Sequence, residues 1–132
     1  MDFQFASMEI LRLKARYSIL LYFYVLMPNH FHFLLESMKK GGIAGFMHDF
    51  SLFYAKYFRH VYQGTGHVWQ GRYKEKLIKK DSYLIQCGKY IEDNPVRARL
   101  VERAELYQWS SARAHILSCP DPLVDPCPYV TL

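Results

Sequence analysis

The stretch Tyr17–Glu36, YSILLYFYVLMPNHFHFLLE, decides the fold. Its first part, Tyr17–Leu26, is a nearly unbroken run of aromatic and aliphatic residues, which is typical of a strand buried on both faces. Pro28 and Asn29 break the run, because both residue types favour turns. His30–Glu36 follows as a second strand. The pattern predicts that the two strands pair antiparallel across this turn.

Helical spacing of apolar residues follows the hairpin. Apolar side chains recur every three or four positions from Ile43 to Val61, as on a helix that buries one face. In a later helix, Asp81 or Ser82 can act as the cap, and Pro95 ends the helix because the residue before a proline leaves helical geometry. We expect helices over residues 6–16, 43–62 and 83–94, and a short last helix that starts at Trp109-Ser110-Ser111.

The size and charge of the chain limit what it can be. Its 132 residues are 51% apolar, which is enough for one domain with a core of its own. We assign residues 1–118 to that domain and residues 119–132, which hold four of the six prolines, to an irregular C-terminal tail. The net charge is +5, and between Lys56 and Arg103 there are 11 Lys and Arg against 5 Asp and Glu. This basic segment favours a polyanionic partner.

Several protein classes do not fit the sequence. The longest apolar stretch, Ile19–Pro28, is about half as long as a membrane span requires, and no signal peptide is visible. Cys87, Cys119 and Cys127 have no CxxC spacing, which argues against a disulfide framework or a zinc-structured protein. We expect a cytoplasmic, nucleoid-associated protein with no membrane contact.

Two groups of residues have the chemistry for a metal site. His30 and His32 alternate on the second strand, so they project to one side and can chelate one ion. Tyr90 and Asn94 are four residues apart, so they lie on one helix face. Taken singly, the histidines could be polar residues that face solvent, Tyr90 a core residue and Asn94 a helix terminator. If the two groups face each other, Asn94 supplies a carbonyl oxygen to the metal and Tyr90 places a phenol nearby.

The segment that joins the second and third predicted helices contains basic and aromatic residues interleaved along the chain. Bases can stack on aromatic rings while ammonium and guanidinium groups follow the phosphates of a single strand. Trp69 and Tyr73 are equally compatible with a place in the core. The candidate DNA-binding residues are Trp69, Arg72, Tyr73, Lys74, Lys76, Lys79 and Lys80, together with Arg97 and Arg99 after the tyrosine.

These residues together resemble the HUH single-tyrosine transposases, named for a His-hydrophobe-His pair, and within them the REP-associated tyrosine transposases. The matching blocks occur in the family's order over roughly residues 10–115. The most specific part is MPNHxH followed by YIxxNPVRA. The blocks are Tyr24–Leu35 (YVLMPNHFHFLL), Trp69–Lys74 (WQGRYK), Asp81–Leu84 (DSYL), Lys89–Ile91 (KYI), Asn94–Ala98 (NPVRA) and Trp109–Ser111 (WSS).

The resemblance implies a ferredoxin-like α+β fold, with a central antiparallel sheet and helices packed on one face. It implies an enzyme that cleaves and rejoins single-stranded DNA near hairpins through a covalent 5′-phosphotyrosine. Carried over to this sequence, Tyr90 is the nucleophile, His30 and His32 hold a divalent metal, Mg or Mn, and Asn94 is the third ligand. No GxxxxGK[ST] loop is present, in keeping with a reaction that needs no ATP.

The chain departs from the family pattern in two places. Family members begin with a further strand that would precede residue 1, so the sheet is expected to lack its first strand. Tyr17–Leu26 would then be an exposed sheet edge, which favours a homodimer. Arg99 stands where the family often has glycine, and a positive φ there would carry a small strain.

Alternatives to these assignments remain open. Glu36 and His67 are alternative metal ligands, and Tyr83 is the alternative nucleophile. Glu92 and Asp93 place two acids near the site, which either position a cation or face solvent. The alternative function is that of a truncated or domesticated relative that binds structured single-stranded DNA without cutting it.

Overall fold

The computed structural model describes residues 3–62 and 82–128 and contains the expected hairpin. β1 (Ile19–Leu26) pairs antiparallel with β2 (Phe31–Ser37), so each strand begins one or two residues later than the sequence suggested. The α+β class is confirmed. The helices are α1 (Gln4–Tyr17), α2 (Gly42–Tyr62), α3 (Ser82–Glu92), α4 (Asn94–Arg97) and α5 (Ala112–Ile116), with a 3₁₀ turn at Ala104–Leu106. Within the described ranges, no helix is long and apolar enough to cross a membrane.

An extra residue in β1 reverses the face of the sheet to which the following side chains of the strand point. The ladder shifts register between Leu21 and Phe23, which leaves Tyr22 as a β-bulge. Because side chains alternate along a strand, one inserted residue reverses the faces beyond it. Leu21 before the bulge and Tyr24 after it therefore pack toward α1 and α2, while Tyr22 and Phe23 pack toward α3. β1 is buried on both faces, as its apolar run predicts.

Helices cover both faces of the hairpin, rather than the single face that we expected. The reason is that β1 is apolar on both sides and α3 takes the second side, where Leu84 and Ile91 pack against Val25 and Leu34. The first side is the larger core. Its most buried members include Ile10 and Leu13 of α1, Leu21 and Leu26 of β1, and Phe46, Phe50 and Tyr54 of α2, and Phe31 of β2 also belongs to it.

The second edge of β1 is covered by later parts of the same chain. The Leu26 N–H donates to the carbonyl oxygen of Trp109 at 2.8 Å, and the Leu21 N–H donates to the carboxylate of Asp125 at 2.8 Å. Strand edges associate through unpaired backbone groups. Because these contacts cover the edge of β1, that edge gives no support to a homodimer, which stays a prediction.

α3 continues almost directly into α4. α3 ends at Glu92, but Pro95 does not end the helical path as we expected. It occupies the first turn of α4, where its missing N–H would have no helical partner in any case. The Asp93 N–H still donates its hydrogen bond four residues back, at 2.8 Å. Tyr90 and Asn94 therefore stay about one turn apart.

Close packing of α3 on β1 at Gly88 gives a test of this arrangement. A methyl group at Gly88 would come within 2.5 Å of the Phe23 ring. Alanine favours a helix by about 1 kcal/mol over glycine, but overpacking costs about 1–3 kcal/mol. We expect Gly88→Ala to lower the free energy of unfolding in a urea titration by up to about 2 kcal/mol.

Gln86→Ala is the matched control, since Gln86 is exposed on the same helix and its replacement changes helix propensity alone. If Gly88→Ala is as stable as Gln86→Ala, α3 does not pack this closely on β1.

Candidate active site

Two tyrosine hydroxyls hold the turn that leads into His30. Tyr54 of α2 donates a hydrogen bond to the carbonyl oxygen of Met27. Tyr107 donates one to the carbonyl oxygen of Leu26 at 2.5 Å. Burial raises the pKa of Tyr107 to about 12, so this hydroxyl keeps its proton throughout the neutral range. The backbone before His30 is therefore fixed from two different elements.

His30 and His32 lie side by side on the face of the hairpin that carries α3. Their ring centroids are 5.3 Å apart, and His30 lies just before β2 rather than inside it. Burial of His32, and then the positive charges of His30 and Arg97, lower the pKa of the His32 imidazole. The lowered pKa favours the neutral ring, which is the form that binds a metal ion.

Asn94 brings a third candidate metal-ligand atom close to the histidine pair. Its side-chain oxygen Oδ1 lies 3.4 Å from Nε2 of His30. The other ring nitrogen of His30, Nδ1, is 2.6 Å from Oδ1 of Asn29. Since a carboxamide oxygen only accepts hydrogen bonds, Nδ1 carries the proton in this arrangement. In the neutral ring, Nε2 therefore points a lone pair at the Asn94 oxygen, and a cation between them would satisfy both atoms.

The candidate ligand atoms of His30, His32 and Asn94 fit a divalent cation. Two atoms 3.4 Å apart can both lie about 2.1 Å from one ion, the usual ligand distance for Mg²⁺. Two imidazole nitrogens and one amide oxygen would leave about three of six positions for phosphate oxygens and water. Among the residues that the structure describes, no three His, Cys, Asp or Glu side chains group around a metal position. The amide of Asn94 is therefore the third candidate ligand in this region.

Tyr90 is exposed and lies against Arg97. Tyr90 is 62% exposed, and the guanidinium carbon of Arg97 lies 3.7 Å from the centroid of its ring. Nη2 of Arg97 also donates to the carbonyl oxygen of Tyr90 at 2.7 Å. Arg97 is close enough to His32 to affect the pKa of that imidazole. The arginine thus contacts the phenol and lies near the histidine pair.

Glu92 neither faces solvent nor meets the metal candidates. It is 5% exposed, and its carboxylate accepts hydrogen bonds from Oγ of Ser111 at 2.5 Å and from Nδ1 of His115 at 2.6 Å. Oγ of Ser111 also accepts from the N–H of Tyr24 in β1 at 3.0 Å. This network ties the end of α3, two residues beyond the tyrosine, to β1 and α5. Asp93, in contrast, is exposed.

The remaining sequence assignments fall into two groups. Glu36 is engaged elsewhere, since its carboxylate accepts a 2.6 Å hydrogen bond from Tyr22. Arg99 is exposed and has a φ of 59°, so its backbone has the positive φ that glycine adopts more easily. The other group lies outside the described residues: Trp69, Arg72, Tyr73, Lys74, Lys76, Lys79 and Lys80, the alternative ligand His67 and the alternative cap Asp81.

Sequence reasoning missed the contacts of Asn29 and Glu92. In the sequence Asn29 is typical of a turn, although a carboxamide next to a candidate ligand histidine is itself a signal for a supporting hydrogen bond. No local pattern indicates that Glu92 is buried, because its partners Ser111 and His115 are 19 and 23 residues further along the chain.

Removal of the Glu92 carboxylate should destabilise the protein. Hydrogen bonds to a charged group contribute about 1.5–3 kcal/mol each, and Glu92→Ala also leaves Ser111 and His115 without this acceptor. We expect the free energy of unfolding, measured by urea titration with fluorescence detection, to fall by about 3–5 kcal/mol. Glu102→Ala, which removes an exposed carboxylate, should have little effect. Equal stability of the two variants would contradict the network.

Comparison with known proteins adds to this geometry. Residues 6–94, more than half of the chain, match the family described as "Transposase IS200 like". A solved structure of a REP-associated tyrosine transposase bound to a REP hairpin has a TM-score of 0.70 to this chain at 18% sequence identity, and the match covers 98% of this chain and 76% of that chain. No curated protein matches the sequence. The resemblance drawn from the motifs is confirmed, and the chain belongs to the IS200-like transposase family.

Proposed function

We propose that this chain is a transposase-like enzyme that cuts and rejoins single-stranded DNA near hairpins, with Tyr90 as the nucleophile. The observation that carries the proposal is the pair of atoms Nε2 of His30 and Oδ1 of Asn94, which face each other at 3.4 Å one helical turn from Tyr90. Membership of a transposase family supports a reaction on DNA.

His30, His32 and Asn94 would hold the divalent cation, Mg or Mn. Imidazole nitrogen suits Mn²⁺, and Mg²⁺ accepts it where oxygen ligands complete the shell. A bound ion would neutralise the charge of the scissile phosphate and polarise its phosphorus. Asn29 would keep the Nε2 lone pair of His30 directed at the ion, because it holds the ring proton on Nδ1.

Tyr90 would carry out the covalent step. A phenol is mostly protonated at neutral pH, so it must release its proton to water or to a phosphate oxygen as it attacks. The phenolic oxygen bonds to phosphorus, and the bond from phosphorus to the 3′ oxygen breaks. The products are a 5′-phosphotyrosine and a free 3′-hydroxyl. A second 3′-hydroxyl can reverse the step on another strand, and the phosphodiester energy is conserved without ATP.

The DNA partner would be a single strand that carries a hairpin. The similar solved structure holds a REP hairpin, and the positive net charge of this chain, +5, attracts a polyanion. Arg99 is exposed two residues after the end of α4, where it would contact the backbone of the DNA strand. The alternative is a relative that binds such DNA without cutting it. The presence of His30, His32 and Tyr90 together favours the enzyme over the binder.

A covalent-adduct assay separates the two functions. Labelled single-stranded oligonucleotides with hairpins are incubated with the protein and Mn²⁺, then run on a denaturing protein gel. We expect a labelled band of protein size with the wild type, and no band with Tyr90→Phe or His30→Ala. Tyr83→Phe should keep the band, since Tyr83 lies two turns earlier on α3.

The possible failures of this assay have different meanings. An adduct that persists in Tyr90→Phe and disappears in Tyr83→Phe would move the nucleophile to Tyr83. Hairpin binding in a native gel, with no adduct from any variant, would support the binding-only function.

Metal affinity tests the ligand set without DNA. We expect Mn²⁺ to raise the melting temperature of the wild type relative to chelator, because an ion that binds only the folded state stabilises it. His30→Ala should abolish the shift. Asn29→Ala should weaken Mn²⁺ binding by about 10- to 100-fold in a calorimetric titration, as for other groups that orient a ligand.

His48→Ala is the control for these variants, since the His48 side chain is 70% exposed on α2. A wild type with no response to Mn²⁺ or Mg²⁺, or a His30→Ala variant with a full response, would contradict the metal site.

A further inference from the structure

Arg97 makes two contacts with the same residue, Tyr90. Its guanidinium carbon lies 3.7 Å from the centroid of the phenol ring, the short distance of a cation–π contact. Its Nη2 donates to the backbone carbonyl oxygen of Tyr90 at 2.7 Å. The two contacts fix the arginine relative to both the side chain and the backbone of Tyr90.

The helix geometry explains how these contacts arise. Tyr90, Asn94 and Arg97 are spaced i, i+4 and i+7, which places them along one stripe of the nearly continuous α3–α4 path. The stripe ends soon after, because Arg99 turns the chain through a positive φ of 59°. The same stripe thus carries the candidate nucleophile, the candidate ligand and the arginine.

The Tyr90 ring needs support from outside the core. Tyr90 is 62% exposed, so burial does not fix its orientation. Reacting atoms must be held within about 3–3.5 Å and aligned for an efficient displacement. The planar face of a guanidinium restricts the rotation of the ring that it covers, and its five N–H donors are not used up by one carbonyl.

We infer that Arg97 is a positioning residue that holds the Tyr90 ring in the orientation for attack, and that it acts through Tyr90 rather than as one more contact to the DNA backbone. This inference rests on the proposed function of Tyr90 as the nucleophile. The distinction from a phosphate contact is measurable. Loss of a phosphate contact weakens DNA binding and lowers its salt dependence by about one ion. Loss of a positioning residue slows the reaction of bound DNA.

The first test measures the ring itself, with no DNA or metal present. The full chain is prepared with 3-fluorotyrosine at position 90 only, and its ¹⁹F NMR signal is recorded. We expect Arg97→Ala to shift this signal and to move it toward that of free 3-fluorotyrosine, because the covering cation is gone. Arg103→Ala is the matched control, since the Arg103 side chain is 72% exposed and pairs with Glu105 at 2.9 Å.

The second test measures adduct formation at increasing concentrations of hairpin DNA. We expect Arg97→Ala to lower the rate at saturating DNA by about 10²-fold, the scale of a small misplacement of a reacting group, with the half-saturating concentration changed by less than about 3-fold. Arg97→Lys keeps the charge but loses the planar face and the fork of donors, so it should have the half-saturating concentration of the wild type and recover the saturated rate only in part. Melting temperatures confirm that each variant is folded.

The outcomes distinguish this inference from the proposed function. An unchanged ¹⁹F signal in Arg97→Ala, or a weaker affinity with an unchanged saturated rate, would overturn the positioning role while leaving the nucleophile in place. If the wild type forms no adduct at all, the proposed function fails. The ¹⁹F measurement then still decides whether Arg97 holds the Tyr90 ring.

Discussion

The antiparallel pairing of β1 with β2 is the constraint on which the site depends. In this register Val25 lies opposite His32 and Leu26 opposite Phe31. Side chains of a strand alternate between faces, so the pairing sends Phe31 into the core and His32 to the face of α3. A slip of one residue would exchange these two positions. Burial of the Phe31 side chain in the core therefore fixes the face of the sheet on which the histidines lie.

The bulge at Tyr22 makes the second face usable. Beyond it, Phe23 and Val25 point toward α3 and give that helix an apolar surface on which to pack. Gly88 lets the helix approach the Phe23 ring closely, and the hydrogen bonds of Glu92 tie its end to Ser111 and α5. α3, which carries Tyr90, thus contacts the sheet and its neighbours at several points. Such rigid support is what a site needs to hold reacting groups in place.

Much of this architecture could be predicted from the sequence because it depends on local periodicity. The period of two along residues 30–36 separates His32 from Phe31, and the helical spacing pairs Tyr90 with Asn94. Motif spacing also identified the family, which the match over residues 6–94 confirms. The roles of the individual site residues stay predictions.

The parts that the sequence could not predict arise from tertiary contacts. A bulge leaves no mark in a run as uniformly apolar as ILLYFYVL, so the reversal of faces at Tyr22 could not be predicted. Burial of Glu92 depends on partners in a distant segment. The sequence shows Arg97 only as a basic residue seven positions after Tyr90, and its 3.7 Å contact with the Tyr90 ring depends on the path of the chain from α3 into α4.

The site of covalent attachment to DNA tests the role of Tyr90 most directly. The wild-type adduct with hairpin DNA is digested with nuclease and trypsin, and the peptides are identified by mass spectrometry. Cleavage after Lys89 and Arg97 releases YIEDNPVR, which contains one tyrosine. If Tyr90 is the nucleophile, this peptide carries the nucleotide that remains from the DNA. A nucleotide on the preceding tryptic peptide, which contains Tyr83, would contradict the assignment of Tyr90 as the nucleophile.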